Sequence, residues 1–435
     1  MIVVSDVTKS FGTQILFEDV NVKFSPGNRY GLTGPNGAGK STFMRILSGE
    51  IEPTNSKGKV NRPRKVGVLK QDQFAFDEER IIDTIMMGNE SLWAAFKERD
   101  ALCDAGDFSE PVMMKLGEIE EIIANENGYD AEFEAAEILR GIGLSDDQHE
   151  SLMKTLPNDF KFRVLLGQAL FGHPEAVLLD EPTNHMDLES IHWLEEFLQD
   201  YEGTMIVISH DRHFLNAVCT HIADIDYDTI IIYPGVYDDM VEQKMQSRQR
   251  VESENRDKAK KIAQLQEFVS RFAAGQRSSQ VQSRRKEIDR LAPTELKRSN
   301  IQRPYIRFEQ EKPSSREVVS VKHISKSFGD LKLFSDFSIE VFRGDKIAII
   351  GGNGVGKTTL VRCIMGEEPV DKGKVTWGNN SAQSYYPQDY RKLIENGKSA
   401  LEWLMQFDER LEGQQALRGL MGRMLFTGDD SLKST

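Results

Sequence analysis

Eight residues constrain this chain more than any other stretch: Gly34-Pro35-Asn36-Gly37-Ala38-Gly39-Lys40-Ser41. They have the form G-x-x-x-x-G-K-[ST], a loop that cradles phosphate. Residues 28–33 before it read as a short buried strand, and 42–47 after it as an amphipathic helix. The motif carries meaning only in that strand–loop–helix setting. Its glycines let successive backbone N–H groups turn inward toward an anion. The following helix adds a positive end of roughly half a unit charge. Lys40 would then reach the outer phosphates, and the Ser41 hydroxyl would hold Mg²⁺. The plain alternative is a glycine turn with no ligand. Repetition weighs against it, because Gly351-Gly352-Asn353-Gly354-Val355-Gly356-Lys357-Thr358 follows a second apolar run at 346–350.

The loops lie 317 residues apart, and other features keep that offset. Lys9-Ser10-Phe11-Gly12 returns as Lys326-Ser327-Phe328-Gly329, Leu16-Phe17 as Leu333-Phe334, and Gln71-Asp72 as Gln388-Asp389. A common offset held over about 60 residues marks a duplicated unit. The expectation is an α/β fold with tandem nucleotide-binding domains. Both loops are candidate nucleotide contacts, together with Thr42 and Thr359 beside them. Phe11 and Phe328 could each stack on a flat base, or serve as ordinary half-buried core residues.

Residues 176–179 form an apolar strand that ends in Asp180-Glu181. A carboxylate at such a strand end can bind Mg²⁺ directly or through water. The next one, Glu181, is placed to act as general base on an attacking water. A further apolar strand at 205–208 runs into Ser209-His210-Asp211. His210 would contact the outermost phosphate from there, although a lone histidine is more often structural.

Three cysteines, Cys103, Cys219 and Cys363, are far apart and form no C-x-x-C pair. That fits a reducing, cytoplasmic compartment and argues against disulfides or a zinc site. No apolar run approaches the ~20 residues of a membrane helix, and the first residues carry no basic leader. The net charge of −14 argues against binding nucleic acid over the whole surface. Charge is unevenly spread, however. Residues 244–300 hold 15 Lys+Arg against 7 Asp+Glu, or +8, which leaves −22 for the rest. Ile262, Leu265, Phe268, Val269 and Phe272 share one helical face. Ala273-Ala274-Gly275 breaks the pattern, and 279–291 reads as a second helix, so a helical hairpin is expected. Arg271, Arg277, Arg284, Arg285 and Lys286 gather at its tip and second helix. A solvated charged face is the ordinary meaning of such a run, and contact with RNA is the sharper one.

Taken in order, Gly34–Ser41, Gln71, Asp180-Glu181 and His210 resemble the Walker A, Q-loop, Walker B and H-switch of an ABC ATPase. Asp180-Glu181-Pro182-Thr183-Asn184-His185-Met186-Asp187 resembles the E-P-T-N-H-L-D string of the ABC-F subfamily, with Met186 in place of the usual Leu. The resemblance implies a tandem ATPase that works on the ribosome, uses Mg²⁺ with ATP, and reaches ribosomal and transfer RNA through the linker, with no membrane or DNA partner. It adds Gln71 and Gln388 to the metal set, beside Ser41, Asp180 and Thr358. It divides the chain into a first cassette at 1–236 with a helical arm at about 86–128, a linker at 237–316, and the start of a second cassette at 317–435. Two alternatives stay open: the ATPase of an exporter, and a nucleotide-gated RNA-binding module without hydrolysis.

The sequence departs from the family pattern at two places. Where the family has L-S-G-G-x, this chain has Leu156-Pro157-Asn158-Asp159-Phe160, followed by Lys161 and Arg163. Pro157 offers neither N–H nor hydroxyl, so a poor phosphate clamp is expected. Second, the sequence stops before a second signature, Walker B and switch histidine. That suggests a fragment with impaired hydrolysis.

Overall fold

The computed structural model describes all residues except 13, 70–71, 73, 107–108, 185, 273–281, 283–285, 287–303, 308–312, 330, 388–393, 395, 408–412 and 427. It divides into two compact units, residues 1–301 and 302–435.

The first unit is built on a six-stranded sheet. Its strands are β3 (Arg29–Thr33), β5 (Val66–Val68), β6 (Ala176–Asp180), β7 (Thr204–Ile208), β8 (His221–Asp226) and β9 (Thr229–Pro234), in the order β5-β6-β7-β3-β8-β9. All pair in parallel except β8 with β9. Every residue of β7 is buried, as are four of the five in β6. Continuous apolar strands of this kind belong to a parallel sheet covered on both faces. The helix α1 (Lys40–Ser48) turns Phe43, Met44, Ile46 and Leu47 onto one face of it. Beside that face, β1 (Ile2–Phe11), β2 (Gln14–Phe24) and β4 (Lys59–Asn61) form a separate antiparallel sheet. Its inner residues Val4, Val7, Phe17 and Phe24 complete one core with α1 and β3.

The other face carries α6 (Asn158–Leu170), α7 (Leu188–Gln199) and α8 (Arg212–Val218). A third apolar cluster joins α2 (Ile81–Met86) to α3 (Glu90–Ala105), α4 (Glu110–Asn125) and α5 (Ala131–Gly141) through Ile85, Leu92, Ile123 and Ile138. The helices α3 and α4 occupy the stretch expected to form an arm. From β9 the chain enters α9 (Tyr237–Phe272), on which Leu265 is buried while Ile262 and Val269 are half-buried. The expected turn at 273–275 and most of the expected second helix lie outside the described residues.

The second unit repeats the antiparallel sheet as β10 (Glu317–Phe328), β11 (Leu331–Phe342) and β12 (Lys372–Trp377), in the order β11-β10-β12. It also repeats the helix after the loop as α10 (Lys357–Met365), followed by α11 (Ala400–Met405) and α12 (Gln414–Arg423). The run at 346–350 differs from its counterpart. In the first unit β3 is flanked by β7 and β8. Residues 346–350 pair with no strand among the described residues, and Ile347 and Ile350 are 52% and 72% exposed. An apolar run becomes a buried strand only where neighbours complete its hydrogen bonds. No helix among the described residues is long and apolar enough to cross a membrane.

Candidate active site

The phosphate loop leaves β3 at its buried end and enters α1. Gly34 has φ 150°, and a Cβ there would stand 2.8 Å from the Ile225 carbonyl oxygen. Gly39 has φ 95°, and a Cβ there would meet Leu16 Cδ1 at 2.9 Å. Glycine is therefore required twice, by conformation and by close approach. Lys40 Nζ folds back over the loop and donates to the Gly34 and Pro35 carbonyls, at 2.9 and 3.2 Å. An ammonium held by loop carbonyls marks the space an anion would share with it. Burial lowers the Lys40 pKa, and the Glu181 and Asp180 carboxylates act against that shift.

Those carboxylates arrive from another part of the chain. Asp180 ends β6, and Glu181 follows in a left-handed conformation with φ 54°. Glu181 N–H donates to the Ile208 carbonyl at 2.9 Å, which ties the end of β6 to the end of β7. Two residues past Ile208, the His210 N–H donates to Glu181 Oε2 at 3.3 Å, and His210 Nε2 stands 3.5 Å from Oε1. Oε1 is buried and accepts no hydrogen bond. A buried acceptor without a donor calls for one, and a water or an oxygen carrying a proton would supply it. Burial pushes the Glu181 carboxyl up, and His210 pulls it back only in part. The strand ends thus gather Lys40, Asp180, Glu181 and His210 into one electrostatic group. Mg²⁺ with ATP fits this donor set: loop amides and Lys40 for phosphate, the Ser41 hydroxyl and Asp180 for the metal, and Oε1 free beside them.

The second loop has the same backbone. Gly351, Gly354 and Gly356 have φ 157°, 80° and 99°, against 150°, 80° and 95° in the first loop. Lys357 Nζ donates to the Gly351 and Gly352 carbonyls at 2.8 and 2.7 Å. Leu333 approaches Gly356 as Leu16 approaches Gly39. Phe11 and Phe328 are exposed, and each already has a lysine over one ring face: Lys9 at 5.3 Å and Lys326 at 4.8 Å. Gln71, Gln388, Arg277, Arg284 and Arg285 lie outside the described residues, as does the Arg271 side chain, while Lys286 is exposed.

The divergent signature turns out to be partly internal. Pro157 caps α6, and Lys161 and Arg163 are buried within it, 4% and 1% exposed. Lys161 pairs with Asp77 in the segment after Gln71. Arg163 donates to the Ile142 carbonyl at 3.0 Å and to Ser190 Oγ at 2.9 Å, and stands 3.4 Å from Asp187. Asp187 in turn caps α7 by accepting from Ser190 N–H at 3.0 Å. Arg163 therefore anchors Asp187, a few residues past the Glu181 corner. Sequence reasoning missed this role. The available signal was an arginine amid the apolar residues of a buried helix.

Known proteins are similar to this chain. A family model described as ABC transporter matches residues 17–184 and 334–418, and a second model of the same description matches 223–308. The probable ATP-binding protein YbiT of Escherichia coli O157:H7 is 44% identical over 434 residues, covering 100% of this chain and 82% of the relative. The ABC transporter ATP-binding protein YkpA of Bacillus subtilis is 43% identical, covering 99% and 80%. The energy-dependent translational throttle protein EttA of Escherichia coli K12 is 30% identical, covering 96% and 76%. With paired phosphate loops, a carboxylate pair at one strand end and a histidine at the next, the chain belongs to the ABC ATPases, among the ABC-F-type ATP-binding proteins related to YbiT.

Proposed function

We propose that this chain is an ATP-driven factor of the ribosome, with a cassette at 1–236, an RNA-contacting linker at 237–316, and a second cassette beginning at 317. The linker's charge carries the ribosome reading: an acidic protein places +8 on residues 244–300. Phosphate backbones attract such a segment without reading sequence. Support also comes from EttA, whose name assigns it to translation.

In the cassette, Lys40 exchanges the Gly34 and Pro35 carbonyls for phosphate oxygens, and the loop amides hold the rest. Ser41 and Asp180, with Gln71, would hold Mg²⁺, which would neutralise charge on the phosphates. Glu181 Oε1 accepts a proton from the attacking water. His210 positions the terminal phosphate and limits ionic repulsion beside Glu181. The site's work is orientation and charge stabilisation in a partly dry pocket.

Ribosome pelleting of the Glu181→Gln chain tests the reading. The variant should pellet with ribosomes in Mg-ATP and stay in the supernatant without nucleotide. Equal pelleting in both conditions removes the nucleotide control, and no pelleting in either removes the ribosome.

A further inference from the structure

The root of α9 is bonded to both sides of the nucleotide site. On one side, the Asp238 N–H donates to Asn216 Oδ1 at 3.2 Å, while Asn216 Nδ2 donates to Asp238 Oδ2 at 2.9 Å. Arg212, two residues past His210, lies over the Tyr237 ring at 5.3 Å. On the other side, Lys244 Nζ enters the body of the unit. It donates to Asp224 Oδ2 at 2.6 Å and to Asp226 Oδ2 at 2.5 Å, both on β8. The Asp224 and Asp226 side chains are 5% and 0% exposed. Burial works against the Lys244 ammonium, but the two carboxylates outweigh it and raise its pKa.

The other oxygen of Asp224 leads to the phosphate loop. Thr33 Oγ1 donates to Asp224 Oδ1 at 3.3 Å, and the two residues are register partners between β3 and β8. Thr33 immediately precedes Gly34, whose backbone packs on the next residue of β8, Ile225. One buried polar chain thus runs from the loop through Thr33 and Asp224 to a linker residue. A surface helix needs no half-buried lysine to stay attached. Two buried carboxylates of β8 share this one ammonium, an arrangement that is costly unless its members are bonded.

We propose that Lys244 is a positioning residue that couples nucleotide occupancy of the first phosphate loop to the linker helix α9 through Asp224 and Thr33. This rests on the reading that the loop binds ATP. Coupling is reciprocal: if ATP shifts the helix, a ligand that holds the helix shifts ATP affinity by the same factor.

The test is hydrogen exchange of residues 237–260 with and without saturating Mg-ATPγS, beside a fluorescent-nucleotide titration. In the wild-type chain, nucleotide should change exchange across this stretch by about fivefold or more. Lys244→Met should reduce that change to less than about twofold, with nucleotide affinity within about threefold of wild type. Lys244→Arg should restore it. Thr33→Val keeps the Lys244 ion pairs and removes only the link to the loop, so it should abolish the change even if Lys244→Met folds poorly. Retention of the full change in Thr33→Val, or in a folded Lys244→Met, overturns the proposal. A loss of nucleotide affinity matching the loss of coupling also overturns it, because the cluster would then only support the loop. Failure of the wild-type chain to bind nucleotide is a separate outcome, and defeats the ATP reading itself.

Discussion

Glu181 is held in a conformation and a charge state that both cost stability. Its φ of 54° is unfavourable for a residue with a side chain. Burial raises its carboxyl pKa above the ordinary 4.5. A carboxyl raised by folding makes the folded state bind protons more readily than the unfolded one. It therefore subtracts stability above the unfolded pKa, and the penalty disappears as pH falls. Glu181→Gln should melt at a higher temperature than wild type at about pH 7, and the gap should close as the pH approaches the carboxyl's own range. The same variant should hydrolyse ATP more slowly, since it retains shape and loses the base. A lower melting temperature at neutral pH would remove the strained-base description. The identity of Glu181 was legible in the sequence because an apolar run ending in two acids announces a strand end. Its left-handed backbone was not, because that is imposed by the bond to the Ile208 carbonyl on a neighbouring strand.

Among the elements, α6 shows where local reading stops. Leu156-Pro157-Asn158 was legible as a departure from the family signature, but the helix that Pro157 caps was not read from the sequence. The burial of Arg163 was not, because its partners Ile142, Ser190 and Asp187 come from elsewhere in the chain. Burial tends to raise the Asp187 carboxyl, yet the Ser190 hydrogen bonds and Arg163 hold it below the usual value. Removing one partner of a buried ionic contact leaves the others uncompensated. Arg163→Met should cost about 3 kcal/mol of the first unit's stability in urea unfolding. A cost under about 1 kcal/mol would show the cluster to be dispensable. The phosphate-loop strands give a second lesson. Residues 28–33 and 346–350 are similar in character, yet only the first run is a sheet strand. Apolar character is local, whereas the neighbours that bury a strand are not.

At the scale of the whole molecule, charge is segregated: residues 244–300 carry +8 against −22 elsewhere. Composition made that legible, and the repeat at an offset of 317 made the tandem plan legible as well. The polar chain from Thr33 to Lys244 was invisible, because it joins residues 211 positions apart through one strand register. Replacing Arg277, Arg284, Arg285 and Lys286 together by Gln should weaken ribosome binding. It should also flatten the salt dependence, by about 0.7–0.9 in log–log slope for each phosphate the linker no longer neutralises. Equal slopes would leave the linker a spacer. Each proposed role depends on ATP at the first loop, so equilibrium titration of Mg-ATP into wild-type and Lys40→Ala chains is the most direct test. Lys40→Ala removes charge-assisted hydrogen bonds worth about 1.5–3 kcal/mol each. Its dissociation constant at the first site should rise by about tenfold or more, and a value within about threefold of wild type would contradict the assignment.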